Sequence, residues 1–105
     1  MFELDKKNFQ SEVLESEGYV LVDFFGDGCE PCEALMPHIL KYEETYGDKI
    51  RFTGLNTSKA RRVAISQQVM GLPNISIYKD GERVDELVKD DATPQAVEEM
   101  IKKYI

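Results

Sequence analysis

The stretch Tyr19-Val20-Leu21-Val22-Asp23-Phe24-Phe25-Gly26-Asp27-Gly28-Cys29-Glu30-Pro31-Cys32 decides the fold. Tyr19 to Phe25 is a nearly continuous run of strand formers, which predicts a central strand buried on both faces. Gly26-Asp27-Gly28 predicts a sharp turn. From Cys29 to about Tyr46 apolar residues recur at helical spacing, with Leu35, Ile39, Leu40 and Tyr42 expected to pack inward. Pro31 falls in the first turn of that helix, where a missing N–H costs nothing. Pro37 falls inside it, where a kink is expected. A strand therefore delivers two cysteines to the start of a helix.

Ahead of that strand, Asp5 to Ser16 carries Phe9, Val13 and Leu14 at helical spacing and predicts an amphipathic helix ended by Gly18. Phe2 to Leu4 adds a short edge strand. Beyond the cysteine helix, Ile50 to Leu55 predicts a strand. Thr57 or Ser58 is expected to cap a helix running to about Val69, with Val63, Ala64 and Ile65 inward. Gly71-Leu72-Pro73 breaks it. Asn74 to Tyr78 alternates as a strand does, Asp80-Gly81 is a hairpin signal, and Arg83 to Val88 is the returning strand. Thr93 caps a last helix with Pro94 at its first position and Val97 and Ile101 inward. Strands separated by helices imply parallel pairing, and the closing hairpin adds antiparallel strands. The fold class is α/β, a mixed central β-sheet with helices on both faces. The 105 residues suit one domain spanning residues 1–105, without repeat or linker.

Composition narrows the function classes. The net charge of −7 repels nucleic acid and anionic membrane and favours partners with basic surfaces. Lys59, Arg61 and Arg62 are a local exception, read either as a solvated helix face or as a docking patch for an acidic partner. No apolar run approaches the ~20 residues that span a bilayer. The start, Met1-Phe2-Glu3-Leu4-Asp5-Lys6-Lys7, lacks the order of a signal peptide. A cytoplasmic location, where thiols are held reduced, is the expectation.

Cys29 and Cys32 are the only cysteines. A disulfide between them closes a very small loop and removes little chain entropy, so a redox role explains them better than a structural one. The thiolate is the nucleophile, and a helix N-terminus stabilises it by ~0.3–1 kcal/mol. Cys29, at or near the N-cap, is the expected attacking sulfur. Cys32, one turn in and more sheltered, is the expected resolving sulfur. Asp23 interrupts the apolar strand near its C-terminal end, where open α/β sheets place their sites, and lost solvation should raise its pKa. A zinc reading needs four ligands, and Cys29, Cys32 and the lone His38 give at most three, on poorly matched faces of the helix.

With these residues in place, the chain resembles the thioredoxin family over almost its whole length. The resemblance rests on Val22-Asp23-Phe24-Phe25 ahead of Cys29-Glu30-Pro31-Cys32, on Pro37, on Gly71-Leu72-Pro73, and on Lys79-Asp80-Gly81-Glu82. It implies a thioredoxin fold and thiol–disulfide exchange without a bound cofactor. It further implies that Asp23 relays a proton to or from Cys32, and that Pro73 is cis and presents the backbone of Leu72 to an extended substrate segment. Gly28, Glu30, Pro31, Gly71, Leu72 and Pro73 are then the substrate-binding residues. The implied partners are a thioredoxin reductase and disulfide-containing proteins, and the implied state is a monomer.

The chain departs from the family at several positions. Gly28 stands for the usual tryptophan, Glu30 for glycine, Glu33 where a basic residue is common, and Gly54 where a lysine neighbours the buried aspartate. Asp90-Asp91 falls near a loop that often contains glycine. A unit negative charge ~8 Å from a thiolate, at an effective dielectric near ~40, opposes it by about 1 kcal/mol, comparable to the helix-end term. The expectation is a less acidic Cys29 and a reducing couple; a harmless exposed Glu30 is the alternative. The motif and the stretch Asn56 to Arg62 are similar to thioredoxins of amino-acid-fermenting anaerobes, which serve a glycine reductase system as well as a thioredoxin reductase. A dedicated electron donor of that kind, a non-redox scaffold, and a disulfide isomerase or oxidase are the competing functions.

Overall fold

The structure, a computed structural model, describes residues 1–105. Five strands form one mixed sheet: β1 (Phe2–Leu4), β2 (Tyr19–Phe25), β3 (Arg51–Asn56), β4 (Asn74–Lys79) and β5 (Glu82–Val88). Their order is β1-β3-β2-β4-β5. β1 and β2 run parallel to β3, whereas β4 runs antiparallel to β2 and β5 antiparallel to β4. The hairpin turn is at Asp80-Gly81, both with positive φ, as a two-residue type I′ connection requires. Three α-helices complete the fold: α1 (Glu30–Tyr46), α2 (Arg61–Ser66) and α3 (Pro94–Lys102).

Two cores lie on opposite faces of the sheet. On one, Leu21, Phe52, Ile75 and Ile77 pack with Leu35 and Ile39 of α1 and Val97, Met100 and Ile101 of α3. On the other, Val20, Val22, Phe24 and Leu55 pack with Phe9, Val13 and Ala60. β2 thus feeds both cores by alternation, as its apolar run predicts. Each fully buried large side chain contributes about 1.5–3 kcal/mol. Thr93 caps α3 by accepting from the Ala96 amide at 3.1 Å, with Pro94 in the first turn. The sheet's outer edges are a three-residue β1 and a β5 carrying Glu82, Arg83, Asp85 and Glu86.

Some local expectations change. Between Asp5 and Ser16 the chain winds helically, but Gln10–Leu14 is π-helical, with the Glu15 amide reaching back to the Gln10 carbonyl. Asp5 fastens the turn that leads into it, accepting from the Lys7 and Asn8 amides at 2.7 and 2.9 Å. Neither Thr57 nor Ser58 caps α2; its N-cap is Ala60, with no side-chain acceptor, and the helix stops at Ser66. Leu40 (44 % exposed) and Ile65 (74 % exposed) face outward, because Ile39 and Ala64 take the inward positions beside them.

Candidate functional site

The redox site forms where β2 runs into α1. Cys29 is the N-cap of α1, with extended backbone, and its Sγ accepts from the Cys32 amide at 3.2 Å. Sulfur here takes the place of the oxygen that usually satisfies a first-turn N–H. A disulfide joins Cys29 and Cys32, whose Cα atoms are 5.3 Å apart. Cys29 is half-buried and Cys32 buried, the asymmetry that the helix position predicts. Glu30, Pro31 and Glu33 around the pair are exposed, and so is His38. No cluster of three or more His, Cys, Asp or Glu side chains gathers around a common point.

Asp23 lies on β2 with its side chain on the same face as Leu21, the face that α1 covers. It is 1 % exposed. Three other buried polar residues each have a partner: Thr53 donates to the Leu21 carbonyl, Ser76 to Asn74, and Asn74 to Glu86. Asp23 Oδ1 has none. Burial alone pushes its pKa from 3.8 to about 7. Opposite Asp23 in register stands Gly54, so this position supplies no cation.

Gly71-Leu72-Pro73 meets the cysteine loop where Leu72 packs against Gly26, and the Leu72–Pro73 bond is cis. Leu72 Cδ1 would lie 2.9 Å from a Cβ at Gly26, so any larger residue there has to push the Leu72 side chain aside. Neither Gly71 nor Leu72 donates or accepts a backbone hydrogen bond within the chain. The Pro73 carbonyl accepts from Lys89 at 2.8 Å. Lys89 sits at φ +53°, and its side chain lies over Gly71, leaving no room there for a Cβ. Gly28, at φ +70°, has open space around it.

Three residues outside the expected site hold the cysteine loop. The Thr57 amide and hydroxyl both donate to the Phe25 carbonyl, at 2.7 and 2.8 Å. Ser58 Oγ accepts from the Asp27 amide at 3.0 Å, and Asn56 Nδ2 donates to Asp27 Oδ1 at 2.9 Å. These two hydroxyls fasten the cysteine loop, and α2 starts only after Ala60, too far along the chain for either to cap it. The available signal was Asn56-Thr57-Ser58, a cluster of side chains that bond nearby backbone, directly after a strand.

Comparison with known proteins agrees with this geometry. The family model described as thioredoxin matches residues 1–103. A thioredoxin of Acetoanaerobium sticklandii is 63 % identical over 105 residues, covering all of both chains. A thioredoxin of Peptoclostridium acidaminophilum is 53 % identical, covering 100 % of this chain and 96 % of its own. Among solved structures, oxidized mitochondrial thioredoxin 3 of Saccharomyces cerevisiae superposes with a TM-score of 0.86 at 24 % identity, covering 98 % of this chain and 94 % of that one. At that identity the likeness speaks for the fold, the thioredoxin fold. Family match, full-length relatives and the cysteine pair at the helix end together make this chain a member of the thioredoxin family of disulfide oxidoreductases, with Cys29 and Cys32 as its redox-active pair.

Proposed function

We propose that the whole chain works as one domain that reduces protein disulfides, with Cys29 as nucleophile, Cys32 as resolving thiol and Asp23 as proton relay. The carrying observation is the pairing of a capped, accessible Cys29 with a buried Cys32 on one helix turn. The Cys29 thiolate attacks one sulfur of the target disulfide. That bond breaks, the other target sulfur leaves as thiolate and takes a proton, and a Cys29–target mixed disulfide forms. Cys32 gives its proton to the Asp23 carboxylate and attacks Cys29 Sγ. The second target thiolate is released, and two electrons have passed from the dithiol to the target.

Asp23 suits the relay because it is buried, unpartnered and raised to about 7, where it both accepts and returns a proton. The unpaired backbone of Gly71 and Leu72 supports strand-like pairing with an extended target segment, next to Pro73, Gly28, Glu30 and Pro31. The pair is re-reduced by a thioredoxin reductase in the cytoplasm, and the chain acts as a monomer without cofactor. No helix is long and apolar enough to cross a membrane. The relatives from anaerobic clostridia favour a narrower second reading, in which a glycine-reductase-type complex is the principal electron acceptor.

Dithiol-driven reduction of a protein disulfide by wild type, Cys29→Ser and Cys32→Ser tests these roles. Wild type turns over, Cys29→Ser falls to the uncatalysed rate, and Cys32→Ser accumulates a mixed disulfide. Full biological activity in Cys29→Ser would instead establish a scaffold. An inactive wild type on general substrates would point to a dedicated acceptor.

A further inference from the structure

Helix α2 breaks the local rules of helix stability. Its N-cap, Ala60, has no side-chain acceptor, and its first two residues are Arg61 and Arg62. Cations at a helix N-terminus oppose the helix dipole. Lys6, Lys7 and Lys59 lie along the same shallow groove, so five like charges share one side of a chain whose net charge is −7. None of the five forms an ion pair. Asp5, close by, already uses its carboxylate on backbone amides. Ile65 follows Arg61 by four positions and so shares its helix face, and it is 74 % exposed. Met70, just past the helix, is 91 % exposed. An arginine sharing a helix face with an exposed Ile65 resembles the middle of an interface more than an ordinary solvated face.

Both ends of α2 lead to the redox site. Before it, Ser58 bonds the amide of Asp27, two residues ahead of Cys29. After it, Met70 runs directly into Gly71-Leu72-Pro73. We propose that the exposed face of α2, with Lys6, Lys7 and Lys59, docks protein partners that present carboxylates beside the disulfide to be reduced. A protein partner fits better than nucleic acid, because the overall negative charge repels a long polyanion while a local carboxylate cluster meets only the patch. The proposal rests on the Cys29 and Cys32 roles given above.

The test uses reduced protein and three synthetic disulfide-linked peptides. One carries three glutamates on the N-terminal side of its cysteine, one carries them on the C-terminal side, and one is neutral. At least one acidic peptide is expected to react about three- to tenfold faster than the neutral one at low ionic strength, with the advantage lost at high salt. The triple variant Lys59→Gln, Arg61→Gln, Arg62→Gln is expected to lose that advantage and keep the wild-type rate with neutral hydroxyethyl disulfide. Absence of an acidic advantage, or its survival in the variant, overturns the proposal. A variant slowed equally on hydroxyethyl disulfide also overturns it, since the cations would then act through the Ser58–Asp27 clamp. Tighter binding of a short single-stranded oligonucleotide than of the acidic peptide would reassign the patch to polyanions. Wild type inert toward hydroxyethyl disulfide would fault the cysteine roles instead.

Discussion

The N-terminus of α1 and the C-terminal half of β2 are joined by one short turn, yet they treat negative charge in opposite ways. Cys29 sits where helix N–H groups are free to donate to a neighbouring anion, and its sulfur already accepts from one of them. Asp23 sits where nothing donates to its Oδ1 and water is excluded. The first effect is worth ~0.3–1 kcal/mol. The second, a rise from 3.8 to about 7, corresponds to about 4 kcal/mol against the carboxylate. Burial at Asp23 therefore acts against a negative charge more strongly than the helix end acts in favour of one.

The largest test of that contrast removes the buried acid. Below about pH 4 Asp23 is protonated in both folded and unfolded chains. Between about 4 and 7 only the unfolded chain ionises, so stability falls as pH rises, and above 7 the loss is complete. Asp23→Asn should lack this loss, so its stability relative to wild type should rise by about 4 kcal/mol between pH 4 and pH 8, followed by urea unfolding. A flat difference would mean that the carboxyl finds a solvated or bonded state. A smaller effect comes from supplying the missing cation. Gly54→Lys should lower the Asp23 pKa by about one unit, moving the pH at which that stability loss ends. A Cβ at Gly54 is tight only against the movable end of Met1, at 3.0 Å, and meets Phe25 and the Asp23 carbonyl at ordinary contact distance, so room can be made. The smallest effect belongs to the exposed side. Glu30→Gln should raise the alkylation rate of reduced Cys29 near neutral pH by about threefold, and an unchanged rate would make Glu30 a bystander.

The site was legible where chemistry follows chain order. Cysteines at a strand-to-helix turn, a buried acid interrupting an apolar strand, and a cis bond before Pro73 all stand as the sequence led one to expect. Less legible was what hydroxyls and borderline apolar residues do. Thr57 and Ser58 satisfy any cap rule, but Phe25 and Asp27 compete for them across the sheet. That contest is tertiary. Leu40 and Ile65 fit helical periodicity equally well turned inward or outward, and only the width of each core settles it. The π-helical turn at Gln10–Leu14 has no sequence mark that distinguishes it from an α-helix.

The edges of the sheet bear on life in a crowded cell. β1 is too short to template another chain, and β5 lines the opposite edge with charged side chains. An electron carrier must meet many extended, partly unfolded segments and let each one go. With its outer strands unattractive, the chain keeps unpaired backbone at Gly71 and Leu72, where the function proposed above has such a segment pair. On that proposal stickiness is confined to the one place where contact ends in a reaction and release, and repeated encounters need not seed aggregates.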